Sequence, residues 1–289
     1  MGAATKIIGP GMYLRGEVDY DAIDAVNFST LKYIAKSPRM YRHVVENSRP
    51  ATRAMELGTA SHVTLLEPTK IANHYAVYEG TKNRNSNEWK DFEKQAIASN
   101  RIPLKAGDME AAFRIRDAVM SDPIAAPYLK NCDREVTVVW VDDETGILCK
   151  GRIDALRRDN VEVDVKTCAD VTPVHFARNL ARLGYHIQRA FYRDGLRSII
   201  KREPQHRIIA VEQAEPHDVV VFQLNEAALD AGRNVYRDAL TKIAECRASG
   251  RWPGLANGQE MALELPNWAI AGENEESVEL VIGGESVSI

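Results

Sequence analysis

Val161-Glu162-Val163-Asp164-Val165-Lys166-Thr167 decides the fold, read together with Lys150-Gly151-Arg152-Ile153-Asp154-Ala155 shortly before it. Alternation of apolar and polar residues marks a strand, because successive side chains leave a pleated backbone on opposite faces. Val161, Val163 and Val165 are therefore predicted to enter a core, with Glu162, Asp164 and Lys166 in a row on the other face. Asp154 stands near the end of the preceding strand, with the turn signal Asp159-Asn160 between. If the two strands pair as a hairpin, the carboxylates of Asp154 and Asp164 meet at the sheet end. Facing carboxylates repel unless a cation or a proton joins them, and oxygen ligands suit Mg²⁺ or Mn²⁺.

Outward from this hairpin the strand pattern continues. Val136, Val138 and Val139 form a first strand, Gly146 to Leu156 a second and Val161 to Val165 a third, separated by Asp142-Asp143 and Asp159-Asn160. That is a three-strand meander. Downstream, helical periods cover Pro173–Leu183 and Tyr185–Ile200, then strands Arg207–Glu212 and Val219–Leu224, then a helix capped by Asn225 and ending before Gly250. Upstream, Ser29 is predicted to cap a short helix that Ser37-Pro38 stops, and further helices run from about Thr52 to Leu66, over Glu88–Ser99 and over Gly107–Met120. Residues 68–86 read as loop with a little strand. The order predicts one α/β domain, a central mixed β-sheet flanked by helices with a helical N-terminal part. Its extent is read as 27–271, after an irregular arm (1–26) and before an acidic tail (272–289).

Composition excludes several classes. The 289 residues carry 37 Lys+Arg against 41 Asp+Glu, with 45% hydrophobic and 27% charged, which is neither disordered nor collagen-like. No apolar run approaches the roughly 20 residues of a membrane helix, and the start lacks the features of a secretory signal, so a cytoplasmic protein is expected. Cys132, Cys149, Cys168 and Cys246 form no CxxC pair and read as reduced, packed thiols. Charge is uneven: beyond Arg251 there are seven Glu and no Lys, Arg or His, whereas residues 1–251 hold 37 bases against 34 acids. A mildly basic body leaves nucleic acid open as a partner. The tail ends in two alternating runs about Gly283-Gly284, read either as a hairpin that docks a partner protein or as a disordered acidic end.

Other residues join the Asp154–Asp164 pair. Glu135 begins the first strand of the meander and can reach the same sheet face as Asp154. His62 interrupts a small, apolar helix segment, Gly58 to Leu66. Gln188 and Tyr192, four apart, share a helix face.

In this order, G-T-A-S-H (His62), R-E-V (Glu135), G-R-I-D (Asp154), V-D-V-K (Asp164, Lys166) and Q-R-A-F-Y (Gln188, Tyr192) resemble the PD-(D/E)xK nuclease superfamily, and within it the exonuclease VIII (RecE) type of phage and prophage exonuclease. The segments Ser29 to Tyr41, Trp252 to Gly254 and Leu265 to Ala269 also resemble that type. The resemblance implies a restriction-endonuclease-like fold and hydrolysis of DNA phosphodiesters with a divalent metal. It implies Mg²⁺ held by Asp154, Asp164, the carbonyl of Val165 and His62, with Mn²⁺ as a substitute. Lys166 would orient or help deprotonate the attacking water, Glu135 would assist a second metal or the water with Glu162 as the competing candidate, and Gln188 and Tyr192 would position the strand. Relatives degrade the 5′ strand from duplex ends, leave 3′ overhangs for a single-strand annealing recombinase of the RecT type, and form rings. Arg189, Arg193, Arg197 and Lys201 recur every four residues on the same helix, and such a basic stripe fits phosphate contacts along a duplex. Two rival readings keep the fold: a catalytically idle DNA-binding recombination scaffold, and an endonuclease with the same metal site.

Overall fold

The computed structural model describes residues 8–47, 53–265, 279–282 and 285–288. The chain runs β1 (Gly11–Tyr13), α1 (Phe28–Leu31), a 3-10 turn (Lys32–Ala35), α2 (Pro38–Glu46), α3 (Arg53–Leu66), α4 (Ile71–His74), β2 (Tyr75–Tyr78), α5 (Asn87–Ala98), β3 (Ile102–Lys105), α6 (Ala106–Ser121) and α7 (Ala125–Tyr128). It continues through β4 (Cys132–Val141), β5 (Leu148–Arg157), β6 (Val161–Cys168), α8 (Pro173–Leu183), α9 (Tyr185–Ile200), β7 (Gln205–Glu212), β8 (Val219–Phe222) and α10 (Glu226–Ser249), and closes with β9 (Glu279–Ile282) and β10 (Glu285–Ser288).

Six strands form the central sheet in the order β1-β4-β5-β6-β7-β8. All neighbours are antiparallel except β6 and β7, which run parallel across the α8–α9 connection. A parallel step needs such a helical crossover, since no tight turn can make it. Pro173 opens α8, and Gly184 at φ 75° ends it and starts α9 at once. The Asn225 side chain accepts from the Ala228 N–H to cap α10, and Gly250 at φ 69° closes it. This is the expected mixed sheet flanked by helices.

Helices α9 and α10 cover one face, packing Phe191, Leu196, Tyr236 and Leu240 against Val136, Val138, Trp140 and Ile153. Burying each such side chain stabilises the fold by roughly 1.5–3 kcal/mol. Gly195 permits the approach: a Cβ there would lie 2.5 Å from the Trp140 ring. On the opposite face α3, α6 and α7 set Leu65, Leu66, Ile115, Val119 and Leu129 against Val161, Val163, Val165, Ile209 and Val211. Among the described residues no helix is long and apolar enough to cross a membrane.

Several expectations are corrected. Asp164 does not meet Asp154 at an open sheet end: it and Glu162 are 2% and 0% exposed, because α9 packs over them and supplies Arg189. The arm is partly ordered into the sheet, with β1 pairing along β4. Its anchor is Lys150, a buried strand lysine whose ammonium donates to the carbonyls of Tyr20 (2.7 Å) and Ile23 (2.8 Å). Asn27, not Ser29, caps α1, its side chain accepting from the Thr30 N–H. Strands β2 and β3 pair in parallel as a separate sheet; four residues each, one containing Pro103, are too few to show a strand period. The two alternating runs of the tail pair antiparallel as β9 and β10, the hairpin of the two readings. The boundary at 271 and the Pro266–Ala269 part of the late motif lie outside the described residues.

Candidate metal centre

The site forms where β5 and β6 part. Only Ala155–Val163 and Leu156–Glu162 are paired between these strands, and just beyond them Asp154 Oδ2 accepts from the Val165 backbone N–H at 2.7 Å. On the other side of β5, the β4 register runs from Cys132 to Val141, but Glu135, level with Asp154, makes no ladder pair. Its φ is 53°, a left-handed conformation that costs a non-glycine residue about 1–3 kcal/mol and is held only where its surroundings demand it. Helix α3 brings His62, seated closely on β6: a Cβ on Gly58 would lie 3.3 Å from Thr167 Oγ1.

His62, Glu135 and Asp154 each present one ligand atom, and these atoms lie within 4.8 Å of one another. His62 Nδ1 is 3.5 Å from Asp154 Oδ2. The three line a cleft of about 750 Å³ together with Lys166, Tyr185 and Tyr75. Burial, then the neighbouring Asp154, pushes the Glu135 carboxyl up to about 7, while His62 and Arg152 pull it back only in part. Two carboxylates and an imidazole converging in a partly buried cleft fit a hard divalent cation, which would relieve that repulsion. Arg15 Nη1 and Arg152 Nε stand 3.7 and 3.9 Å from Glu135 Oε2, and Arg15 Nε lies 3.1 Å from Glu67 at the end of α3.

Asp164 lies apart from this group. Lys166 Nζ donates to it at 2.9 Å, and Arg189 Nη2 lies 2.9 Å from Oδ1 on the other side. Arg189 is 1% exposed and also reaches Glu162 at 3.6 Å. Burial works against the ionised Asp164, but Arg189 and Lys166 hold its carboxyl below the ordinary carboxylate range. Glu162 goes the other way: burial raises it to about 7 despite Arg189. Burial favours a neutral Lys166, yet Asp164 and Asp154 carry its ammonium above the usual lysine value. The Lys166 ammonium lies 4.7 Å from the centre of the Tyr185 ring.

Of the expected ligand set, the structure therefore brings His62 and Asp154 together, with Glu135 as third member. Asp164 is turned to two cations, and Val165 meets Asp154 through its N–H. Glu162 is sealed beneath α9. Gln188 and Tyr192 share a face as expected but do not line the cleft; Tyr192 sits in the core under Gly151, where a Cβ would come within 2.8 Å of its ring. The basic stripe is also corrected. Arg189 faces the buried acids, and Arg193, 8% exposed, pairs with Glu203 and Glu226. Arg197 pairs with Asp194 and Glu203, and Lys201 is the exposed C-cap. A four-residue step turns the helix roughly 40° past a full circle, so the row winds from under the helix to its surface. Sequence reasoning missed Arg152, although it shares the alternating face of Asp154 two residues on. Arg15 and Glu67 carried no such signal.

A solved structure from Eubacterium rectale, named "Putative exonuclease", shares the fold with a TM-score of 0.61 at 14% identity, over 91% of this chain and 99% of that chain. The solved structure SSO0001 is 12% identical over 76% of this chain and 84% of its own, with a TM-score of 0.28, too low for a shared fold to be argued. No curated protein matches the sequence. A family model described as a PDDEXK-like domain of unknown function (DUF3799) matches residues 27–263. That span takes in the hairpin, the His62, Glu135 and Asp154 group and the helices on both faces of the sheet, and the chain belongs to this PDDEXK-like family.

Proposed function

We propose that the chain is a Mg²⁺-dependent exodeoxyribonuclease that hydrolyses phosphodiesters from duplex DNA ends. The observation that carries this reading is the convergence of His62, Glu135 and Asp154 beside Lys166 in one cleft. His62, Glu135 and Asp154 would hold the cation, which when bound neutralises charge on a phosphate and makes water more acidic.

The chain's own side chains supply the rest. Lys166 keeps its proton under the influence of Asp164 and Asp154, so it serves as a charged donor to a phosphate oxygen rather than as a base. Asp164 and Arg189 fix the position of that ammonium from below. Burial and Asp154 push the Glu135 carboxyl up to about 7 in the cation-free cleft, so it would give up its proton on joining His62 and Asp154 around the cation. The Val165 N–H orients Asp154. Attack from the 5′ strand, 3′ overhangs passed to a single-strand annealing recombinase of the RecT type, and assembly into a ring around DNA extend this reading on the motif resemblance.

The test uses linear and circular duplex DNA with Mg²⁺ or chelator, alongside Asp154→Ala and Lys166→Ala. Loss of linear DNA only, abolished by chelator and by each substitution, is the expected result. Cutting of circles would assign an endonuclease instead, and binding with no hydrolysis under any condition would leave a DNA-binding scaffold.

A further inference from the structure

A DNA backbone entering the cleft must bring its phosphates next to two carboxylates, which requires cations facing the same space. Helix α9 does not provide them there, since Arg189 and Arg193 are turned inward. Among the described residues lining the cleft, the lysines and arginines are Lys166, Arg15 and Arg152. Lys166 is 15% exposed and engaged with Asp164. Arg15 and Arg152 are 31% and 30% exposed, and both lean toward the same oxygen, Glu135 Oε2, from beyond hydrogen-bond range.

We infer that Arg15 and Arg152 form a two-guanidinium seat for a backbone phosphate of the nucleic-acid substrate, beside the His62–Glu135–Asp154 group. This rests on the nuclease reading above. A guanidinium offers five N–H donors in a planar fork that matches phosphate oxygens. Glu67 takes the Nε of Arg15 at 3.1 Å, while Nη1 stands 3.7 Å from Glu135 in a residue that lines the cleft. Arg152 Nε is buried without a hydrogen-bond partner, and its head is oriented by stacking on Tyr20, 4.2 Å from the ring centre. Tyr20 is itself tied down by the Lys150 ammonium.

Both guanidinium groups thus depend on residues 8–26, a segment that precedes the family match at residue 27. Arg15 lies on the turn that Gly16, at φ 91°, allows, bridged to Val18. The arm completes the substrate site from outside the shared domain.

The test measures binding of a fluorescein-labelled duplex of about 30 base pairs by anisotropy, with Ca²⁺ in place of Mg²⁺, over a series of KCl concentrations. Each phosphate contact contributes about 0.9 to the slope of log affinity against log salt. Arg15→Gln and Arg152→Gln, which keep a donor without the charge, are each expected to lower that slope by part of this amount, and the double variant, which removes the whole contact, by about 0.9. Arg197→Ala, on the α9 row, is expected to leave it unchanged. Wild-type slopes in both Gln variants, at unchanged melting temperature, would overturn the inference and leave the nuclease reading standing. If the wild-type chain does not bind the duplex at all, the nuclease reading falls and the phosphate seat falls with it.

Discussion

Two groups of acids lie on neighbouring strands a few residues apart, and the protein treats them in opposite ways. Glu162 and Asp164 are sealed beneath α9 and answered by Arg189 and Lys166 within the fold. Glu135 and Asp154 stand in a cleft with an imidazole, and the arginines near them stop short of hydrogen bonding to Glu135. Both sets arise from the same strand alternation. What separates them is the covering helix: α9 closes over β6 and carries its own cation, whereas β4 and β5 meet α3 at a gap. An acid pair answered from within serves the fold; one left short of positive charge is free to take a cation under the proposed function.

The contrast can be broken most forcefully at Arg189. Arg189→Met strands two buried acids and should cost about 3–5 kcal/mol in denaturant unfolding, with much of it recovered by adding Glu162→Gln. A variant as stable as wild type would mean that the buried group is not held by its own cation. In the cleft, Asp154→Ala should leave unfolding within about 1 kcal/mol of wild type but reduce DNA hydrolysis by about 10²–10³-fold.

The pH dependence separates the groups further. Glu135 and Glu162 both have folded-state values of about 7, raised from 4.5. Each favours the fold while protonated, so their contribution is full below about 4.5 and is lost as pH rises through 7 in cation-free protein. Cation binding requires the ionised carboxylate. Mn²⁺ affinity measured by calorimetry should therefore rise about tenfold between pH 6 and 8. Glu135→Gln should flatten that rise, and Glu162→Gln should leave it intact while removing only its own part of the stability change. The smallest effect concerns the backbone: Glu135→Gly removes the left-handed strain and should stabilise the cation-free protein by about 1 kcal/mol while losing Mn²⁺ binding.

The elements most legible in the sequence were those with both a period and a stop signal. α8 and α9 match their expected limits because Pro173 and Gly184 punctuate them, and the β4–β6 meander follows from its turns. His62 and Asp154 were legible as motif residues. Burial was not: nothing local distinguishes Arg189, which goes inward, from Arg197, which stays half exposed, since the choice depends on acids in another strand. The same holds for β1, whose three residues owe their strand to β4 and to Lys150, and for Asp164, whose partners are set by packing.

The Lys150 anchor also bears on how the chain is made. Its ammonium grips a carbonyl 130 residues earlier, so during synthesis at about 5–20 residues per second the opening segment waits roughly 7–26 s for its partner to emerge. For most of that interval the first strand has no neighbour to pair with, since its partner residues are Thr137 to Val139. Nascent protein stalled before position 150 should then carry a protease-sensitive leader, which becomes resistant only after the meander has left the ribosome.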